Sequence, residues 1–375
     1  MSDDLSGFCP DRFAPVREAM ADQFAQGLEL GARFAFAIDG EVVIDLWGGF
    51  ADRRRSRAFD AQTLTPVFST TKAVASILIA RAVDNGLLDY DQPVVDLWPE
   101  YGQAGKDKIT VAQVLSHQDG LVSLLEPMAP EDWYDWDAVC GKLAAMTPMW
   151  PPGTASGYHP TTFGYTAGEI FRRADGRTMG QALAEDFRKP FGLQIYIGLP
   201  ESEDHRVADV ERPTAVPNFG EMTEIRRAAF MTKWAAPGPR TEAAWRRAEI
   251  PSANGHADAP ALARLLGMMA CGGLLDGRRV LGRETIEEAS KERIAGQDLV
   301  LPYVMSWGAG FMRNSSLAIY GPSLGAFGHS GWGGSCAFAD PQRRISGAYV
   351  MNRQSPDLLG DPRSRRLIDT AYSCL

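Results

Sequence analysis

Apolar positions recur along this chain with two periods, and the places where the period changes divide it into parts. Val16, Met20, Phe24 and Leu28 fall at helical spacing, so an amphipathic helix is expected over 15–30. Pro15 suits its first position, where a missing N–H costs nothing. Between 32 and 51 the pattern becomes strand-like. Two runs rich in strand formers, 34–38 and 42–47, flank Asp39-Gly40, a strong two-residue turn, and together they predict a hairpin. A helix followed by a hairpin begins an α+β layer.

From Thr65 the character changes. Ala73, Val74, Ile77, Leu78, Ile79 and Val83 leave almost no wet face on a helix over 73–86. A helix apolar nearly all round is a buried one, and Gly86 stands where a C-terminal cap belongs. Further helices are expected over 110–117, 137–146 and 162–174, and once within 177–200. Strand signals are nearly absent between 66 and 200, which predicts an all-helical block. Residues 201–255 carry Pro213, Pro217, Pro237, Pro239 and Pro251 and read as loops over a cleft. Helices follow over 259–271 and 283–291. Strand signals return at 307–313 and 317–320, and a Gly-rich run covers 327–334. The strands 336–339 and 345–351 flank a turn at Asp340-Pro341. A helix over 361–374 closes the chain. Two sheet-forming ends thus flank a helical middle. If the ends pair into one sheet, the helical block is an insertion in it.

Composition narrows the function classes. The chain has 375 residues, 45% hydrophobic and 23% charged, with 38 Gly and 24 Pro, as a turn-rich globular protein of one large or two interleaved domains would. Net charge is −9, and the short run Arg53-Arg54-Arg55 follows Asp52, so a nucleic-acid partner is not expected. The five cysteines are widely spaced with no C-x-x-C pair, which fits free thiols in a reducing compartment. The five histidines show no H-E-x-x-H spacing, and no metal is expected. Asp3, Asp4, Asp11 and Arg12 precede any long apolar run, unlike a signal peptide. No uncharged apolar stretch reaches the ~18 residues that a membrane span requires. A cytoplasmic protein without a membrane partner is the expectation.

Three places carry candidate chemistry. Ser69 and Lys72 would lie in the first turn of the buried helix. Three residues apart, their side chains emerge on neighbouring parts of one face, as nucleophile and base. The positive end of the helix dipole and an apolar wall both disfavour an ammonium at Lys72. Tyr158, in a loop flanked by Gly and Pro, is a second candidate base that would share a proton with Lys72. His329-Ser330-Gly331-Trp332 would open a strand beside them. The backbone N–H of Ser69 would be one oxyanion donor, and the 329–332 stretch, among three glycines, the source of a second. The competing nucleophile elbow G-x-S-x-G is approached only at Gly328-His329-Ser330-Gly331-Trp332, which lacks its last glycine.

Ser-x-x-Lys at 69–72, Tyr158 and His329-Ser330-Gly331 resemble, in that order, the three motifs of the serine β-lactamase and penicillin-binding-protein superfamily. The stretches 109–121, 333–341 and 349–352 are similar too, and the likeness runs from about residue 12 to the end. Within the superfamily the chain looks most like the family VIII carboxylesterases. The resemblance implies an α+β, β-lactamase-like fold: an antiparallel sheet flanked by helices, with an inserted all-helical domain. Residues 1–64 and 256–375 would form the sheet domain and 65–255 the mainly helical one, with the active site at their interface. It implies Ser69 as acylated nucleophile, Lys72 and Tyr158 as base, and the N–H groups of Ser69 and Trp332 as oxyanion hole. It also implies His329, Ser330, Gly331 and Trp332 as substrate-binding residues and a small-molecule ester as substrate, cleaved without metal or cofactor.

The sequence departs from the superfamily pattern twice. Pro160 stands where a β-lactamase or peptidase has Asn, and His329 where it has Lys. A histidine is mostly uncharged at neutral pH, so a substrate carboxylate would lose its partner. With the unlikeness to a signal peptide, these departures argue against a cell-wall or periplasmic antibiotic substrate; a short-chain ester is the expectation, and a β-lactam, amide or peptide hydrolase, or an acyltransferase, using the same site is the alternative. A non-catalytic module that keeps the fold would be the reading from another class.

Overall fold

The structure is a computed structural model that describes residues 5–238, 243–314 and 317–375. Pro239 lies outside the described residues. In chain order the first elements are β1 (Ser6–Phe8), α1 (Ala14–Ala25), β2 (Gly31–Ile38), β3 (Glu41–Gly49), β4 (Thr65–Phe68) and α2 (Thr71–Asp84). Next come α3 (Val111–Leu115), α4 (Trp136–Ala145), α5 (Thr162–Asp175), α6 (Met179–Ala182), α7 (Lys189–Phe191) and β5 (Ile195–Tyr196). Then follow α8 (Glu224–Phe230), α9 (Ala243–Arg247), β6 (Gly255–Ala257), α10 (Ala259–Ala270), β7 (Leu274–Leu275), β8 (Arg278–Arg279) and α11 (Arg283–Ser290). The chain closes with β9 (Ile294–Gln297), β10 (Val304–Trp307), β11 (Met312–Arg313), β12 (Phe327–Ser330), β13 (Cys336–Asp340), β14 (Ile345–Met351) and α12 (Pro362–Ser373).

One nine-stranded sheet in the order β1-β3-β2-β14-β13-β12-β11-β10-β9 takes strands from both ends of the chain. Every pairing in it is antiparallel. The central strands β2, β13 and β14 are buried almost throughout, because helices cover both faces. α10 packs on one face, while α1 and α12 lie together on the other, where Phe13, Phe36 and Tyr372 meet. The Asp39-Gly40 turn between β2 and β3 places both residues at positive φ, as a tight hairpin turn requires.

α2 is the hub of the second layer. Its residues from Thr71 to Ala80 are all buried, and it packs against α5 and α11. Fully burying each of Ile77, Leu78 and Ile79 stabilises the fold by about 1.5–3 kcal/mol. Gly86 follows the helix at φ +69, and Leu87 N–H bonds back to the Ala82 carbonyl, a left-handed cap.

Several expectations need correcting. The 66–200 block is not free of strands: β4 and β5 lie in it and pair on either side of β6, from beyond it, in a second, three-stranded sheet. These strands are too short for alternation to show. Residues 317–320 form a turn, not a strand, and 307–313 breaks at Gly308–Phe311 into the β10–β11 hairpin. β9 had no strand signal because Gly296 interrupts it. The helix over 15–30 ends at Ala25, and 201–255 is not all loop, since α8 and α9 lie in it.

Candidate active site

Ser69 does not belong to the first turn of α2. It sits two residues before the helix, in the tight link from β4, with Thr70 as the N-cap. The link is strained: Phe68 has φ +47, a sparsely populated conformation for a bulky side chain. Three short-range backbone bonds close the turn, Thr70 N–H to Val67 O at 3.1 Å, Lys72 N–H to Ser69 O at 3.0 Å and Ala73 N–H to Thr70 O at 3.1 Å. A further contact comes from far along the chain. Ser335 Oγ donates to Val67 O at 2.8 Å and lies 3.1 Å from Thr70 Oγ1, clamping the β4–α2 link to the β12–β13 turn.

Lys72 is fully buried. Its Nζ lies 3.3 Å from Ser69 Oγ, 2.9 Å from Tyr158 Oη, 2.9 Å from Pro160 O and 3.0 Å from Ser252 O. Burial pushes its pKa well below the ordinary lysine value. The two carbonyls can only accept, so they occupy two N–H groups in either protonation state. What remains is one direction, facing Ser69 and Tyr158, which holds an N–H in the ammonium and a lone pair in the amine. Sequence reasoning missed both carbonyls, since backbone acceptors leave no mark on residue type.

Tyr158 is buried with its ring stacked on Trp307, 5.9 Å between centroids and 6° between planes. The His117 ring lies edge-on at 5.1 Å, and a buried polar chain runs on from it: His117 Nδ1 is 3.3 Å from His159 Nδ1, and His159 Nε2 is 2.7 Å from Asp119. The 109–121 stretch therefore braces the site from behind.

A cavity of about 440 Å³ opens over these groups, and Ser69, Tyr158, Ser330 and Trp332 line it. Its volume suits a small organic molecule. The walls include Phe219, Phe230, Leu301, Met312 and Leu359, with no carboxylate among the described lining residues. Much of one wall comes from 212–238, the segment hardest to read from sequence. Among the described residues, no acceptor takes the backbone N–H of Ser69 or of Trp332. Two unspent donors thus lie at residues that line one cavity.

The other expected residues fall as follows. His329 and Ser330 end β12 and do not open a strand. Ser330 faces the cavity and lies 3.1 Å from Tyr320 Oη. His329 is fully buried, its ring 6.0 Å from that of Tyr158, and it is not part of the cavity wall. Burial, then the nearby Lys72, pushes its pKa well below the ordinary value, so it is neutral. Gly331 allows a close approach, but of protein: a Cβ there would lie 2.3 Å from Val67 O and 2.2 Å from Ser335 Oγ. Its own N–H is taken by Ser335 O at 2.7 Å. No cluster of residues suited to a metal ion occurs among the described residues.

Residues 16–371 match the Beta-lactamase family. Esterase/beta-lactamase LipL of Mycobacterium tuberculosis is 34% identical over 366 residues, 92% of this chain and 82% of the relative. A penicillin-binding protein homolog from Caulobacter crescentus is 63% identical in crystal form, with TM-score 0.97 over 99% of this chain and 100% of its own. The crystal structure of a family VIII carboxylesterase is 43% identical, with TM-score 0.93 over 99% of this chain and 100% of its own.

Proposed function

The chain belongs to the beta-lactamase family, and from that premise we propose that it is a serine carboxylesterase that cleaves small esters through an acyl-enzyme on Ser69. The observation that carries the reading is Lys72 Nζ within 3.3 Å of Ser69 Oγ and 2.9 Å of Tyr158 Oη, beneath a cavity of about 440 Å³. The relatives named esterase and carboxylesterase support it. Ser69 Oγ attacks the ester carbonyl and gives its proton to the Lys72–Tyr158 pair. The N–H groups of Ser69 and Trp332 receive the oxyanion. The pair returns the proton to the departing alkoxide. Water then repeats the sequence on the acyl-enzyme, releasing the acid and restoring Ser69. Each step needs only a proton acceptor that becomes a donor, which a depressed lysine sharing a proton with a phenol supplies. The widely spaced free thiols fit a cytoplasmic setting, and no helix among the described residues is long and apolar enough to cross a membrane.

A β-lactamase activity is the second reading, favoured by the double description of the Mycobacterium relative. Against it, the buried neutral His329 offers no cation at the place of the superfamily's lysine, and the cations on the cavity wall, Arg212 and Lys233, come from a different segment. Turnover of p-nitrophenyl butyrate against a chromogenic cephalosporin separates the two; a faster cephalosporin reaction rejects the esterase. Ser69→Ala is expected to abolish ester turnover and mass addition by a serine-directed phosphonate, with an unchanged circular dichroism spectrum. Activity surviving in that variant removes the nucleophile assignment.

A further inference from the structure

Asp298 is a carboxylate with 1% exposure just past the end of β9, and among the described residues the hydrogen-bond partners of its side chain are all neutral donors. Its Oδ1 accepts from the backbone N–H of Tyr158 at 3.0 Å and from those of Val300 and Leu301 at 2.9 Å each. Its Oδ2 accepts from Ser156 Oγ at 3.0 Å and from the Trp307 indole N–H at 3.2 Å. Leu299 N–H adds a bond to Ser156 O at 2.9 Å, so the 156–158 and 298–301 segments are sewn together. Burying a carboxylate without a counter-ion is costly. A neutral side chain could not accept from five donors at once.

Three of these five bonds hold Tyr158: one takes its backbone N–H, one the hydroxyl of nearby Ser156, and one the indole on which its ring stacks. The other two close the turn of Asp298 itself through Val300 and Leu301, and Leu301 lines the cavity. The phenol ring is thus held at its root and across its face, and its Oη has little freedom relative to Lys72 Nζ. A misplacement of about 1 Å can cost about 10²-fold in rate. We propose that Asp298 is the positioning residue for Tyr158, setting the phenol within proton-transfer distance of Lys72 and Ser69. The proposal rests on Tyr158 being part of the proton-transfer pair.

Asp298→Asn tests it. The amide oxygen can still accept from the three backbone N–H groups, but the amide N–H₂ then faces the indole N–H, donor against donor. For p-nitrophenyl butyrate, kcat per titrated Ser69 is expected to fall about 10–100-fold with KM moving less than about 3-fold. The rate of phosphonate labelling of Ser69 falls in parallel. In a Tyr158→Phe background the same substitution is expected to cost almost nothing further, because the atom it positions is gone. A purely structural role would lower Tm and leave both rates per active site unchanged, and that result overturns the proposal. So would full additivity with Tyr158→Phe. If Asp298→Asn does not fold, Ser156→Ala removes one donor from Oδ2 and is expected to slow labelling about 3–10-fold; an unchanged rate counts against the proposal. A wild-type protein that labels at Ser69 but hydrolyses no ester would sink the carboxylesterase reading instead, and the labelling rates would still decide the role of Asp298.

Discussion

Tyr158→Phe is the sharpest test of the proton path. The substitution removes one oxygen and leaves the ring stacked on Trp307. Lys72 keeps Pro160 O, Ser252 O and Ser69 Oγ, three neighbours for at most three N–H groups, so no buried donor is orphaned. Losing the bond to Lys72 costs about 0.5–1.5 kcal/mol of stability. Loss of base assistance, by contrast, costs about 10²–10⁴-fold in rate, equivalent to about 3–5 kcal/mol of barrier. The two magnitudes are far enough apart to be told from each other. The assay is kcat and kcat/KM for p-nitrophenyl butyrate, normalised to the sites that a phosphonate titrates, beside a urea unfolding curve. A variant that keeps more than about a third of wild-type kcat, with stability down by about 1 kcal/mol, would make Tyr158 a packing residue and leave Lys72 alone as the base.

Two further outcomes follow from the same geometry. Trp332→Ala keeps the backbone N–H and Trp332→Pro removes it, so kcat is expected to fall about 10²–10³-fold further in the proline variant; equal rates in the two would remove Trp332 from the oxyanion hole. His256 on β6 is fully buried, and burial, only partly offset by a backbone hydrogen bond with Asn254, pushes its pKa down to about 3. Below its unfolded pKa of about 6.5 the unfolded chain binds the proton that the folded chain refuses, so stability falls with acid, by about 2 kcal/mol near pH 5 from this residue alone. Urea midpoints for wild type and His256→Leu, near neutrality and near pH 5, should show a smaller acid loss in the variant; an equal loss in both would refute the assignment.

The candidate nucleophile, lysine and tyrosine were readable because each is a reactive residue type in a distinctive setting: Ser69 and Lys72 at the head of an all-apolar helix, Tyr158 between Gly157 and Pro160. The wall over 212–238 was not. One short helix between prolines gives no period, and what makes that stretch apolar on one side is the cavity it faces. Asp298 was invisible for a different reason. A lone Asp after a strand is an ordinary turn residue in sequence, and its five donors are drawn from 156–158, 300–301 and 307.

The sequence by itself determined the elements whose burial is one-sided or total: the β2–β3 and β13–β14 hairpins, α2 with its glycine cap, and α5 ending at Gly176. Hydrophobic period and turn chemistry are local, and local patterns report them. Only the tertiary structure decided what the head of α2 can do. It moved Ser69 out of the helix into a strained link, clamped that link through Ser335, and left the N–H groups of Ser69 and Trp332 without an acceptor among the described residues. It also set two distant carbonyls, at Pro160 and Ser252, against Lys72 Nζ, and it took that amine out of water, which lowers its pKa. Desolvation and unpaired donors depend on what arrives from elsewhere in the chain, and no window of neighbouring residues contains that.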